Sequence, residues 1–137
     1  PITIGIEVKT GTKYADATPG LTLDRKIAAF SYDAGVAKLV WIYADSGNSK
    51  GSLSTNTFGV RVPYNDYAFA LSYGAGSYQN NVTTTTYGSV SDTTIGAYYN
   101  FDKSTSAYML TSNATHQLGT NAKGYTKSTA FGVQYKF

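Results

Sequence analysis

Apolar and polar residues alternate with a period of two along most of this chain, most clearly in residues 67–77. There Tyr67, Phe69, Leu71 and Tyr73 share one face, while Ala68, Ala70, Ser72, Gly74 and Gly76 share the other. A period of two is the geometry of a β-strand, whose side chains point alternately to opposite sides. The same repeat marks seven further segments. Residues 2–9 set Ile2, Ile4, Ile6 and Val8 against Thr3, Gly5, Glu7 and Lys9, and residues 23–32 set Ala28, Phe30 and Tyr32 against Arg25, Ile27 and Ala29. Residues 36–44 set Leu39, Trp41 and Tyr43 against Lys38, Val40 and Ile42; residues 55–62 set Phe58, Val60 and Val62 against Gly59 and Arg61. Residues 93–101 gather Ile95, Ala97, Tyr99 and Phe101, and residues 127–137 gather Thr129, Phe131, Val133, Tyr135 and Phe137. In residues 105–113 either Tyr108 with Leu110 or Ala107 with Met109 could belong to the apolar face.

The connections between these segments alternate in length. Asp33-Ala-Gly, Pro63-Tyr-Asn-Asp and Asp102-Lys-Ser are tight turns made of turn-forming residues. The polar stretches 10–22, 45–54, 79–92 and 114–126 read as connections of about ten residues or more, with Thr83–Thr86 exposed in one of them. Sequential antiparallel strands with short turns at one end and long loops at the other describe an up-and-down barrel. In a soluble barrel the apolar face turns inward and the polar face carries charges to solvate it. Here the polar face is mostly Gly, Ala, Ser and Thr, so the apolar face is expected to meet hydrocarbon instead. The fold class read from the chain is all-β: a transmembrane antiparallel up-and-down β-barrel of about eight strands.

Composition points the same way. Charged residues make up 14% of the 137 residues, aromatics 15%, and there are 13 tyrosines; a typical soluble domain has about 25% charged residues. No apolar run reaches the ~18 residues of a spanning helix. Tyr32, Tyr64, Tyr67, Tyr99 and Phe101 flank the short turns, while Tyr43, Tyr73 and Tyr78 lie toward the other end. Two aromatic girdles of this kind suit a membrane's interfacial layers. The chain opens on a strand rather than a leader, which with the barrel pattern predicts an export segment already removed.

Cysteine is absent, and the net charge of +3 is spread along the chain, which argues against nucleic-acid binding. The single histidine, His116, falls in a polar connection with no nearby carboxylate and reads as solvated. Neither catalysis nor a bound cofactor or metal is expected. The candidates for chemistry are the charged residues of the polar face: Arg61, Arg25, Glu7, Lys9, Lys38 and Lys136. Five of the six are cationic, which predicts a weakly anion-favouring lumen. Arg61 is the foremost of them, as a pore-lining cation or as a structural tie to Glu7 or another wall carboxylate. Lys38 and Lys136 read as mouth residues.

Three segments resemble the C-terminal half of the general trimeric porins of Gram-negative bacteria, in particular those of betaproteobacterial type. They are Tyr32-Asp-Ala-Gly-Val-Ala-Lys-Leu39, Tyr98-Tyr-Asn-Phe-Asp-Lys-Ser-Thr-Ser-Ala-Tyr108 and Phe131-Gly-Val-Gln-Tyr-Lys-Phe137. The likeness runs in order over most of residues 29–137. Asp102 stands where those porins usually have Ser, and Ser104 where they usually have Arg. The resemblance implies an outer-membrane, sixteen-stranded, water-filled channel that forms a homotrimer among outer-membrane lipid and lipopolysaccharide and passes small hydrophilic solutes and ions. This chain would supply half of such a barrel. The alternatives are a complete eight-stranded barrel with a structural or adhesion role, and a soluble lipid-binding barrel.

Overall fold

In the computed structural model, which describes residues 1–13, 22–80, 82–121 and 123–135, the chain is eight strands in one antiparallel sheet. They are β1 (Ile2–Lys13), β2 (Thr22–Asp33), β3 (Lys38–Gly47), β4 (Gly51–Tyr64), β5 (Tyr67–Asn80), β6 (Thr85–Asn100), β7 (Thr105–Leu118) and β8 (Gly124–Tyr135). Each strand pairs only with its neighbours in sequence, in the order β1-β2-β3-β4-β5-β6-β7-β8. β1 and β8 are therefore the two edges of an open sheet among the described residues.

The pairing register joins the predicted faces into one. One line across the sheet runs Ile4, Phe30, Trp41, Phe58, Tyr73; another runs Tyr32, Leu39, Val60, Leu71, Ile95. The ambiguity in β7 is resolved by its neighbours. Ala107 lies between Tyr99 and Val133, and Met109 between Ala97 and Phe131, so these two join the apolar face. Tyr108 and Leu110 go to the other side.

The apolar face covers no core. Phe69, Leu71 and Val133 are 54%, 49% and 69% exposed, and among the described residues the one buried apolar side chain is Ala68, at 2%. A compact monomer of this chain's 14.6 kDa would expose roughly 6,900 Å²; this one exposes 9758 Å². The difference is the surface of a sheet that nothing covers. Along residues 67–74 every apolar-face residue is exposed and every small one opposite is buried or half-buried. The small face is the sheltered one.

The expected long loops are mostly strand. The connections after β3, β5 and β7 are residues 48–50, 81–84 and 119–123, within one residue of the length of the 34–37 and 101–104 links at the other end. Residues 45–47, 51–54, 85–92 and 114–118 belong to strands. They were unreadable by periodicity because Ser, Thr, Asn and Gln occupy both faces there. The β-branched threonines nonetheless favour extended backbone, and the ladder continues through them. Thr83 and Thr84 form a turn, whereas Thr85 and Thr86 already pair in β6. The stretch 14–21 lies outside the described residues.

Four turns close on an Asp or Asn side chain. Asp33 Oδ1 accepts from Gly35 N at 2.9 Å, and Asn48 Oδ1 from Lys50 N at 2.8 Å and Gly51 N at 3.1 Å. Asn80 Oδ1 accepts from Val82 N at 2.9 Å; Asp102 Oδ1 accepts from Ser104 N at 2.6 Å and Thr105 N at 2.7 Å. Such carboxylate and amide oxygens replace the missing ladder partner and fix where each strand reverses. Gly35 adopts φ +81°, a left-handed conformation that an L side chain would strain.

Candidate functional site

The sheltered face carries every described candidate residue. Register puts Glu7 opposite Ile27 and Lys38 opposite Arg61, with Glu7, Lys38 and Arg61 on the side away from the apolar band, and pairs the backbone of Lys9 with Arg25, which is on that same side. The side chain of Lys9 and the whole of Lys136 lie outside the described residues. The candidates do not form one ring. Glu7, Lys9 and Arg25 sit together near the β1 edge, at the end away from the short turns. Lys38 and Arg61 form a second group beside those turns.

The tie between Arg61 and Glu7 is not formed. Glu7 lies level with Ile27, Ala44 and Thr55, and Arg61 is six residues farther along β4 than Thr55. At about 3.3 Å per residue this is roughly 20 Å along the strands alone. Arg61 is also no deeper in the wall than Lys38, because the two are direct cross-strand partners. Like charges so placed repel. Lys38 has Asp33 directly across on β2, while the Arg61 guanidinium lies over the Tyr98 ring, 4.3 Å from its centroid. That stacking gives the cation a partner without neutralising its charge.

Asp92 is a charged residue of the sheltered face that sequence reasoning missed. It read as the end of a polar loop, yet it lies on the sheltered face opposite Gly74 and Ala114. Ser112 Oγ donates to its Oδ1, and Thr94 Oγ1 donates to Oδ2 at 3.0 Å. One row away, Ser31, Ser72, Thr94, Ser112 and Ser128 lie level across the sheet, interrupted by Val40 and Gly59. The alternation Asp92-Thr94-Gly96-Tyr98 was the available signal. His116 is likewise in a strand, exposed, with its ring over Gly124, rather than in a loop.

The apolar face has definite borders. At the short-turn end Tyr64, Tyr67 and Tyr99 align across three strands. The Tyr67 and Tyr99 rings are 5.0 Å apart, and Phe101 meets Tyr99 edge-on at 5.0 Å. At the upper border Trp41 Nε1 donates to Asn56 Oδ1 at 3.3 Å, so the indole spans from apolar neighbours to a polar one. Above it the same face carries Ser54, Asp45 and Lys26, with Ser54 Oγ donating to Asp45 Oδ1 at 2.7 Å. Tyr78 does not belong to this border. It lies on the sheltered face opposite Leu53, and its ring is 6.1 Å from Tyr87, the extra residue of a bulge in β6.

A sheet with one exposed, tyrosine-bordered apolar face and one sheltered face of hydroxyls and scattered charges can separate oil from water. Comparison with protein families, curated proteins and solved structures finds no match to this chain.

Proposed function

We propose that this chain forms wall of an outer-membrane porin, a passive diffusion channel for small hydrophilic solutes and ions. The apolar face meets lipid, and the sheltered face lines the water path. The observation that carries this reading is the exposed apolar band across all eight strands, bordered by tyrosines on one side and by the Trp41–Asn56 pair on the other. In water such a patch far exceeds what a monomer tolerates. In a bilayer it is the ordinary outer surface of a barrel. The stripe from Tyr67 to Tyr73 is roughly 20 Å long at ~3.3 Å per residue, close to the ~25 Å band of such barrels.

The two open edges call for further strands, as the resemblance to half of a sixteen-stranded trimeric porin implies. A self-contained eight-stranded barrel with a structural or adhesion role is the second reading, because β1 and β8 run antiparallel and carry matching faces. Its interior would be filled by side chains and would not conduct like a porin.

Conductance of the refolded protein in a planar bilayer is the test. Stepwise current with a weak anion preference supports the channel, and a folded barrel that passes no current refutes it. Arg61→Glu reverses a lumen charge and is expected to move the reversal potential toward cations by several millivolts in a salt gradient. An unmoved potential takes Arg61 out of the pathway.

A further inference from the structure

We propose that Arg61, Tyr98 and Tyr108 form a solute subsite for flat organic anions, an aromatic carboxylate being the simplest. The inference rests on the reading that the sheltered face meets water. The Arg61 guanidinium carbon lies over the Tyr98 ring, 4.3 Å from its centroid. The N–H fork of a guanidinium lies in its own plane, where a carboxylate can accept two parallel bonds. Among the described residues no carboxylate is bonded to that fork. Lys38, directly opposite on β3, adds a second positive charge.

The aromatic wall continues beyond Tyr98. The Tyr108 ring is 6.1 Å away at an interplanar angle of 39°. The Tyr108 ring leans over the bare backbone of Gly132, while Leu110 and the Tyr98 ring share the space over Gly96. A Cβ on Gly132 would come within 2.7 Å of Tyr108 Oη, and one on Gly96 within 3.4 Å of Tyr98 Cε2. Beside the rings is a cavity of about 380 Å³, lined by Tyr98, Tyr108, Leu110, Val133 and Gln134. That volume is in the range of small-molecule sites. An inorganic anion would use the fork and leave the rings idle; a neutral sugar would do the reverse. A planar ring bearing a carboxylate uses both.

The full chain, refolded in detergent micelles, is titrated with benzoate and followed by saturation-transfer NMR. Saturable binding is expected, weakened roughly tenfold by Arg61→Gln and by Tyr98→Leu. Benzyl alcohol, with the same ring and no charge, should bind at least about tenfold more weakly. Lys103→Gln, in a turn at the sheet's end, should leave benzoate binding unchanged. Where Arg61→Gln does not refold, Arg61→Lys keeps the charge, removes the fork and should still weaken binding several-fold. No saturable signal, equal binding of benzyl alcohol, or undiminished binding by the Arg61 variant that folds overturns the subsite. Bilayer current recorded on the same preparation separates the two readings. Current without benzoate binding overturns only the subsite, and benzoate binding without current overturns only the channel.

Discussion

The two halves of each strand are built on the same ladder from opposite materials. Near the short turns, the outward face of β5 is Tyr67, Phe69, Leu71 and Tyr73; farther along the same strand and face it is Ala75, Ser77 and Gln79. β4 changes likewise from Val62, Val60 and Phe58 to Asn56, Ser54 and Ser52. Backbone pairing runs through both halves, with register shifts at the Tyr87 bulge and between Lys9 and Thr12, so the difference between the halves is not one of paired against unpaired strand. The difference is the medium each half suits. About 9–11 tilted residues cross a bilayer's hydrocarbon, and β4, β5 and β7 have 14 each, while β6 has 16. On the membrane-wall reading proposed above, the surplus is a polar collar that stands clear of the oil.

The largest effect should come from placing one charge in each half of a single strand. Leu71→Arg puts a cation in the middle of the band and is expected to cost about 2–4 kcal/mol in lipid vesicles, whereas Ser77→Arg on the same face should cost about 0–1 kcal/mol. Urea titration of the vesicle-refolded protein measures both. Equal costs would erase the distinction between the halves.

This contrast also explains what could be read from the sequence. The apolar faces were legible residue by residue, because an oily side chain recurs at every second position with few exceptions, as the proposed contact with hydrocarbon would demand. β7 resisted, since Ala107 and Met109 are no more apolar than Tyr108 and Leu110; only register against Tyr99 and Val133 decides between them. The collar was illegible for a physical reason. On the proposed reading these strand ends have water on both sides, which removes the alternation, and polar strands then look like loops. Asn48 and Asn80 marked the true turns within those stretches, as Asp33 and Asp102 did at the other end. Mistaking collar for loop also hid Asp92. The separation of the cations into two groups was not legible at all, because it depends on register between strands.

A smaller effect tests whether the collar is truly strand. A side chain at Gly76 would collide with the Ser54 carbonyl oxygen and the Thr55 side chain of the neighbouring strand. Gly76→Val should therefore destabilise by about 1–3 kcal/mol, as overpacking does. In a loop the same change would be nearly neutral, and the same urea titration separates the two outcomes.

The smallest effect lies beyond the apolar end, in the turn after β6. Backbone N–H donation from Ser104 and then from Thr105 holds the Asp102 carboxyl below the usual carboxylate range. A folded-state pKa below the unfolded one adds stability above the unfolded value, and that stability is lost as pH falls through the folded value. Asp102→Ala should lower the urea midpoint slightly at neutral pH. Variant and parent should converge once the pH has fallen through the folded value and the carboxylate is protonated. A gap that persists in acid would mean that the carboxylate charge is not what closes the turn.

The orientation of the apolar face can be read directly from Trp41, the only tryptophan in the chain. It sits on that face between Phe30 and Phe58. In vesicles of phosphatidylcholine brominated on its acyl chains, Trp41 fluorescence should be strongly quenched and should resist acrylamide added to the water. Free access of acrylamide with no quenching by brominated lipid would place the face away from hydrocarbon and contradict the membrane-wall reading.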